Sequence, residues 1–264
     1  MGTTSRTVAL ALLCYLQLFG TATAAEDTVA RGLEVAKEAD ARDAGFQNST
    51  ADLTMVLYNS AGDEIRRTMR QRVLEVADDG DHSVLVFDRP RDLKGTAILT
   101  HTRRVGNDDQ WLYLPALDRV KRISSSDQSG PFMGSEFAYE DLASQEVEKY
   151  TYRYVGEDTL DTLCHVVERV PVATRSGYSR QVAWYDQEHY RLLRIDYYDR
   201  KNELLKTMEL TGYHIYLDRF WRPDEMFMTN HQTGKRTLLE FSNYRFQVGL
   251  EPRDFQRQAL ARSR

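Results

Sequence analysis

The sequence predicts a mainly β fold: an antiparallel sheet curled toward a barrel, with one helix ahead of it. Three observations predict it. Alternating runs recur at regular spacing, are punctuated by turn signals and have no helices between them. The chain is rich in strand formers, with 15 tyrosines and 11% aromatic residues. One segment, Ser125 to Leu142, is long without being a strand or a tight turn. Segments of that length inside compact domains are functional or disordered.

The elements follow in order. Thr28 to Asp43 reads as a helix, because Val29, Leu33, Ala36 and Ala39 recur near helical spacing. Asp27 or Thr28 is the candidate cap, and Gly45 ends the helix. From Thr50 the period changes to two, with Leu53, Met55 and Leu57 alternating with Asp52, Thr54 and Val56. Asn59 to Gly62 forms a turn, a charged strand returns over Glu64 to Val76, and Asp78 to Asp81 turns again. Strands are then expected over His82–Asp88, Gly95–Thr102, Gln110–Leu114 and Asp118–Ser124. After the long segment the style repeats, over Tyr150–Gly156, Leu163–Val170, Arg180–Asp186 and Leu192–Asp199. The last three are Glu203–Thr211, Arg222–Asn230 and Lys235–Arg245, with hairpin turns at Asp199–Asn202 and Thr233–Gly234.

The amino terminus reads as an address. Arg6 supplies a weak positive region, Val8 to Phe19 an apolar run, and Ala22-Thr23-Ala24 a cleavage site. The run is shorter than the roughly 20 residues that span a bilayer. The expected organisation is a cleaved leader over 1–24 and a single β domain over 25–264. Lipidation at Cys14 suits the sequence poorly, because bulky Leu13 precedes it inside the apolar run. With Cys14 removed, Cys164 is the one remaining cysteine, so no internal disulfide is expected. The formal charge of −5 gives no electrostatic reason to bind nucleic acid.

The chemistry of catalysis is missing from the sequence pattern. The six histidines are scattered, and no metal-ligand spacing, nucleophile elbow or phosphate-binding glycine loop occurs. Ser124 to Ser126 reads as a turn, and Cys164 as a small core residue. Glu136, Glu140 and Asp141 read as solvated or capping carboxylates rather than an acid/base pair. The basic residues Arg119, Lys121 and Arg122 read as one solvated strand face or a contact to lipid phosphates. No catalysis, metal or cofactor is expected.

A carrier of apolar cargo fits what remains. The long segment holds Pro131, Phe132, Met133, Phe137 and Tyr139, followed by Glu140 and Asp141. It is either a lid or partner contact, or a plug in one end of the barrel. Strands such as Trp111–Leu114 and Val182–Tyr185 are apolar on both faces, which predicts a lid, a ligand or both over one of them.

The chain also resembles a known family. Asp92 to Thr96, Gln110 to Pro115, Arg119-Val120, Ile123-Ser124, Phe132 to Ser135 and Tyr139 to Leu142 resemble the outer-membrane lipoprotein-sorting protein family, a LolA-like branch of bacterial periplasmic proteins. Tyr244 and Leu250 to Phe255 fit the same pattern. The resemblance implies an incomplete, strongly curved antiparallel β-barrel with helices as a lid over an apolar cavity. It implies a periplasmic location, and lipid or acylated-protein cargo carried between membranes. Its implied partners are an inner-membrane exporter of the resistance-nodulation-division type and a transiently touched membrane. The carrier is expected to be a monomer.

The family has no catalytic residues to carry over, so cavity or lid positions are nominated on apolar character. They are Trp111, Tyr113, Phe132, Met133, Phe137, Trp184, Trp221 and Phe227. Tyr139, Glu140 and Asp141 are nominated as partner contacts. The alternative function is an interaction module with a filled barrel, docking onto a transporter or outer-membrane partner. A hydrolase would require histidines and carboxylates to converge in space.

Overall fold

The structure, a computed structural model, describes the backbone of residues 8–262 and side chains from Glu26 onward. Arg6 of the expected leader lies outside the described residues, as do the side chains of its apolar run and cleavage site. Helix α1 (Val8–Asp43) starts well before Thr28, so the expected cap at Asp27 or Thr28 is not used. The reason is local: leucine and alanine carry high helix propensity, and no proline interrupts the run. The helix ends where expected. Ala44 N donates to Asp40 O, and Gly45 takes a φ of +98°, open to glycine at little cost.

Among the described residues, fifteen strands follow. They are β1 (Asn48–Tyr58), β2 (Glu64–Leu74), β3 (His82–Arg89), β4 (Ala97–His101), β5 (Asp109–Leu114), β6 (Arg119–Ile123), β7 (Tyr150–Thr159) and β8 (Leu163–Pro171). Next come β9 (Tyr178–Asp186), β10 (Leu192–Asp199), β11 (Leu204–Thr211), β12 (His214–Tyr216), β13 (Phe220–Arg222), β14 (Glu225–Asn230) and β15 (Arg236–Phe246). A short helix, α2 (Arg257–Leu260), follows them. Thirteen strands make one antiparallel sheet in the order β6-β5-β4-β3-β2-β1-β15-β14-β11-β10-β9-β8-β7. The first and last strands of that order are consecutive in sequence, and the segment between them joins the two edges. The sheet is thus an unclosed barrel whose seam is spanned by its own chain.

The turn chemistry read from the sequence is present. The Asn59 side chain accepts from Ala61 N and Asp63 N, and Asp199 accepts from Lys201 N and Glu203 N. One hairpin was not expected. The ribbon β12–β13 turns through Leu217 and Asp218, both at positive φ, so no glycine or asparagine marks it. The single strand expected over Arg222–Asn230 is also divided. Pro223, which has no N–H to give a ladder, separates β13 from β14.

The inner face carries the main core, including Leu53, Met55, Leu85, Phe87, Ile98, Ile195, Met208, Met228 and Leu239. Helix α1 adds Val35 and Ala36 to it. The helix sits directly on β7: a Cβ at Gly32 would lie 2.7 Å from Tyr154 N. The outer face carries a second cluster in which Leu74, Val84, Val86, Leu99 and Tyr113 are covered by Phe255 and Leu260. His82 and His101 stack at 3.8 Å beside it, and His101 Nε2 lies 2.7 Å from the Phe255 carbonyl oxygen. Strands apolar on both faces are therefore covered on the outside, near β3 to β5, by the chain's own C-terminal segment.

Candidate functional site

The segment from 124 to 149 is a strap seated in one end of the concave face. It contains three single 3-10 turns, Phe132–Gly134, Tyr139–Leu142 and Val147–Lys149, rather than a lid helix. Phe132 and Phe137 are 0% and 2% exposed, in the main core. Backbone contacts fix the strap to strands on one side of the sheet. Arg67 Nη1 donates to Met133 O at 2.6 Å, and Gln110 Nε2 donates to Tyr139 O at 2.8 Å.

Its carboxylates fix it to the other side. A row of directly paired residues crosses the sheet: Tyr152, Arg169, Gln181, Tyr197, Lys206 and Asn230, one each from β7, β8, β9, β10, β11 and β14. Lys206 Nζ meets Asp141 Oδ2 at 2.7 Å and donates to Glu136 O at 2.8 Å. Asn230 Nδ2 donates to Glu136 Oε2 at 2.7 Å, and the Tyr178 hydroxyl to Asp141 Oδ1 at 2.7 Å. Glu140 accepts from Ser176 Oγ at 2.8 Å and Gly177 N at 2.9 Å. Burial, then the neighbouring Asp141, raises the Glu140 carboxyl above its ordinary range. These three carboxylates face inward, so the solvated alternative does not hold for them, while the capping one holds for Asp141, whose Oδ2 accepts from Ala138 N at 2.7 Å.

Beside the strap the concave face stays open as a cavity of about 1560 Å³. Apolar inner-face residues line it, among them Leu53, Leu85, Ile195, Met208, Leu210, Leu239 and Phe241, together with Tyr152, Tyr185 and Tyr197. Helix α1, the β12–β13 ribbon and the end of the strap wall it. Charged residues at these walls are of both signs, with Asp40, Glu75, Asp81 and Glu146 against Arg42, Arg191, Arg219 and Arg222. Burial is the first cause of the raised pKa values of Asp40, Asp81 and Glu146. Asp81 is pushed up to about 7, with Glu146, Glu75 and Asp43 adding like-charge repulsion. Among the described residues, no cluster of histidine, cysteine, aspartate or glutamate could hold a metal ion.

The nominated residues divide sharply. Phe137, Trp221 and Asp141 line the cavity. Trp221 stacks on His189 at 4.8 Å and carries the Arg191 guanidinium over its ring at 4.7 Å. Phe132 is core beneath the strap, and Met133 packs against that core half-buried. Trp111 and Tyr113 belong to the outer cluster instead of the cavity. Trp184 packs under Arg194 and donates to Asp158, and neither it nor Phe227 lines the cavity. In β14 the alternation puts Met226 and Met228 inward and Phe227 between them outward. Tyr139 packs against the core, edge-on to Phe132 at 5.5 Å. With Glu140 and Asp141 tied inward as well, the three nominated partner contacts are internal fastenings.

Sequence reading missed the polar row. Arg169, Gln181, Lys206 and Asn230 are buried, and no motif singles them out. Parity held the signal: Lys206 shares a strand face with Met208 and Leu210, and Arg169 shares one with Val167.

A family model described as "Uncharacterized protein" matches residues 79–262. A comparison with the curated proteins gives no match. Among solved structures, the chain is 51% identical to one described as an outer membrane lipoprotein-sorting protein domain from Vibrio parahaemolyticus. The match has a TM-score of 0.87 and covers 88% of this chain and 99% of that one. A DUF1329 family protein from Desulfovibrio piger ATCC 29098 is 32% identical at a TM-score of 0.83, again over 88% of this chain and 99% of the other. The LolA superfamily protein NE2245 from Nitrosomonas europaea shares the fold at 19% identity and a TM-score of 0.68, over 85% of this chain and 97% of that one.

Proposed function

This chain belongs to the outer-membrane lipoprotein-sorting protein family, with its LolA-like fold, and from that premise we propose that it is a periplasmic carrier of lipid or lipoprotein acyl chains. The observation that carries the reading is the cavity of about 1560 Å³ on the concave face, walled by Leu53, Ile195, Leu210 and Leu239. It exceeds the roughly 300–1,000 Å³ of ordinary small-molecule pockets. Each acyl methylene moved from water into it is worth about 0.8 kcal/mol, so one tail supplies ample affinity without any chemical step.

The working protein in this reading is a monomer, residues 25–264, freed of a leader over 1–24. The strap stays seated, and cargo lies between it, helix α1 and the β12–β13 ribbon. Loading or release takes place at a membrane partner. An inner-membrane exporter of the resistance-nodulation-division type is proposed for that role on family resemblance alone. The role is binding and transfer, not catalysis.

Native mass spectrometry of protein purified from the periplasm, followed by organic extraction, tests the reading. A stoichiometric lipid or acylated peptide is expected. A clean apo mass, with no uptake of added lipid, would overturn it and leave a docking module.

A further inference from the structure

Arg169 is buried to 3% exposure, yet none of its partners carries a charge. Its Nε donates to Gln181 Oε1 at 2.7 Å, and its Nη2 to Gln145 Oε1 at 3.3 Å. The guanidinium lies over the Tyr150 ring at 4.6 Å. Among the described residues no carboxylate is within ion-pair distance of it, Asp81 and Glu146 of the same cavity included. Lys206, three strands along the same row, is by contrast matched by Asp141. A buried cation without a counter-charge is costly, and proteins normally pair it. Arg169 lines the cavity with Tyr152, Tyr185 and Tyr197 around it. The Tyr197 hydroxyl has only a long contact, 4.0 Å to the Met208 sulfur, and so remains a donor of use to a ligand.

We propose that the cargo brings the missing counter-charge: it is an acyl amphiphile with an anionic head, whose carboxylate or phosphate oxygens are received by Arg169 and Tyr197. Two of the five guanidinium N–H groups are engaged by Gln181 and Gln145, and the planar fork offers the others to two oxygens of one anion. The tail then runs along Ile195, Met208 and Leu210, the apolar part of the same wall. This deepens the carrier reading and rests on it, because it assigns the head of the cargo that the cavity would hold.

The test uses the delipidated full chain and three probes of one chain length: palmitate, palmitoyl lysophosphatidylglycerol and neutral monopalmitoylglycerol. Their affinities are measured by displacement of a fluorescent fatty acid. The anionic probes are expected to bind at least about tenfold more tightly than the neutral one, the scale of a charge-assisted hydrogen bond. Arg169→Gln should abolish that preference, and Arg169→Lys should keep part of it. Preference for palmitate alone, or for the phospholipid alone, supports the proposal and names the head. Equal binding of anionic and neutral probes to the unaltered protein overturns it and leaves the carrier reading standing, whether or not Arg169→Gln folds. Binding of none of the three overturns both.

Discussion

Lys206 on β11 and Asp141 in the strap form an ion pair of 2.7 Å, with side chains 5% and 4% exposed. The pair joins residues 65 apart in the sequence and fastens the seam-spanning segment to the far half of the sheet. Its other bonds, from Tyr178 and to Glu136 O, complete a buried polar joint under the strap.

Removing one partner of that joint strands the other. Lys206→Met and Asp141→Leu should each cost about 3–5 kcal/mol, because an uncompensated buried charge remains. The double substitution should cost clearly less than their sum. Urea unfolding of the three variants measures this, and strict additivity would show that the pair is not coupled.

The strap is core rather than a mobile cover. Phe132→Ala should therefore lower stability by about 3–5 kcal/mol, the range for a buried aromatic. Met133→Ala, half-buried beside it, should cost far less. Denaturant midpoints at equal slope give the comparison, and an unaffected Phe132→Ala variant would return the strap to the surface.

Helix α1 approaches β7 too closely for any side chain at position 32. Gly32→Ala should destabilise the protein by about 1–3 kcal/mol through overpacking, despite alanine's higher helix propensity. Thermal unfolding reads the sign; a stabilised variant would mean that the helix is not seated on β7.

Asp81 holds its proton more tightly when folded, with a pKa near 7 against the ordinary 3.8. Its contribution to stability is full below the unfolded value and is lost as pH rises through about 7. Asp81→Asn should accordingly be more stable than the unaltered protein above pH 7, by on the order of 1–3 kcal/mol. Stability measured across neutral pH checks it, and parallel curves for the two proteins would refute the assignment.

His82 works in the opposite direction. Burial, then His101 and Arg103, lowers its pKa from 6.5 to about 4. The stability it contributes is present above 6.5 and is lost as pH falls through about 4. Charging the stacked pair should loosen the Phe255–Leu260 segment first, since His101 contacts the Phe255 carbonyl. Hydrogen exchange of that segment in mild acid should accelerate, and His82→Gln should reduce the effect.

The local codes of this chain are strong, and they determined what the sequence alone could determine. Period-two alternation marked nearly every strand of the large sheet, and Asn59, Gly45 and Asp199 marked their turns through bonds made within a few residues. The β12–β13 hairpin escaped because Leu217 and Asp218 reach positive φ without a glycine or asparagine to announce it. Alternation also states which side chains share a face, but not which face is concave. Trp111 and Trp184 could therefore be mistaken for cavity wall, and Arg169 and Lys206 for solvated residues. Only the tertiary structure decided those questions. A charge is buried when distant segments bring it partners, as Glu136 reaches Asn230 across 94 residues. The seam-spanning strap, the polar row beneath it and the unmatched Arg169 arise from how the sheet curls, which no local spacing encodes.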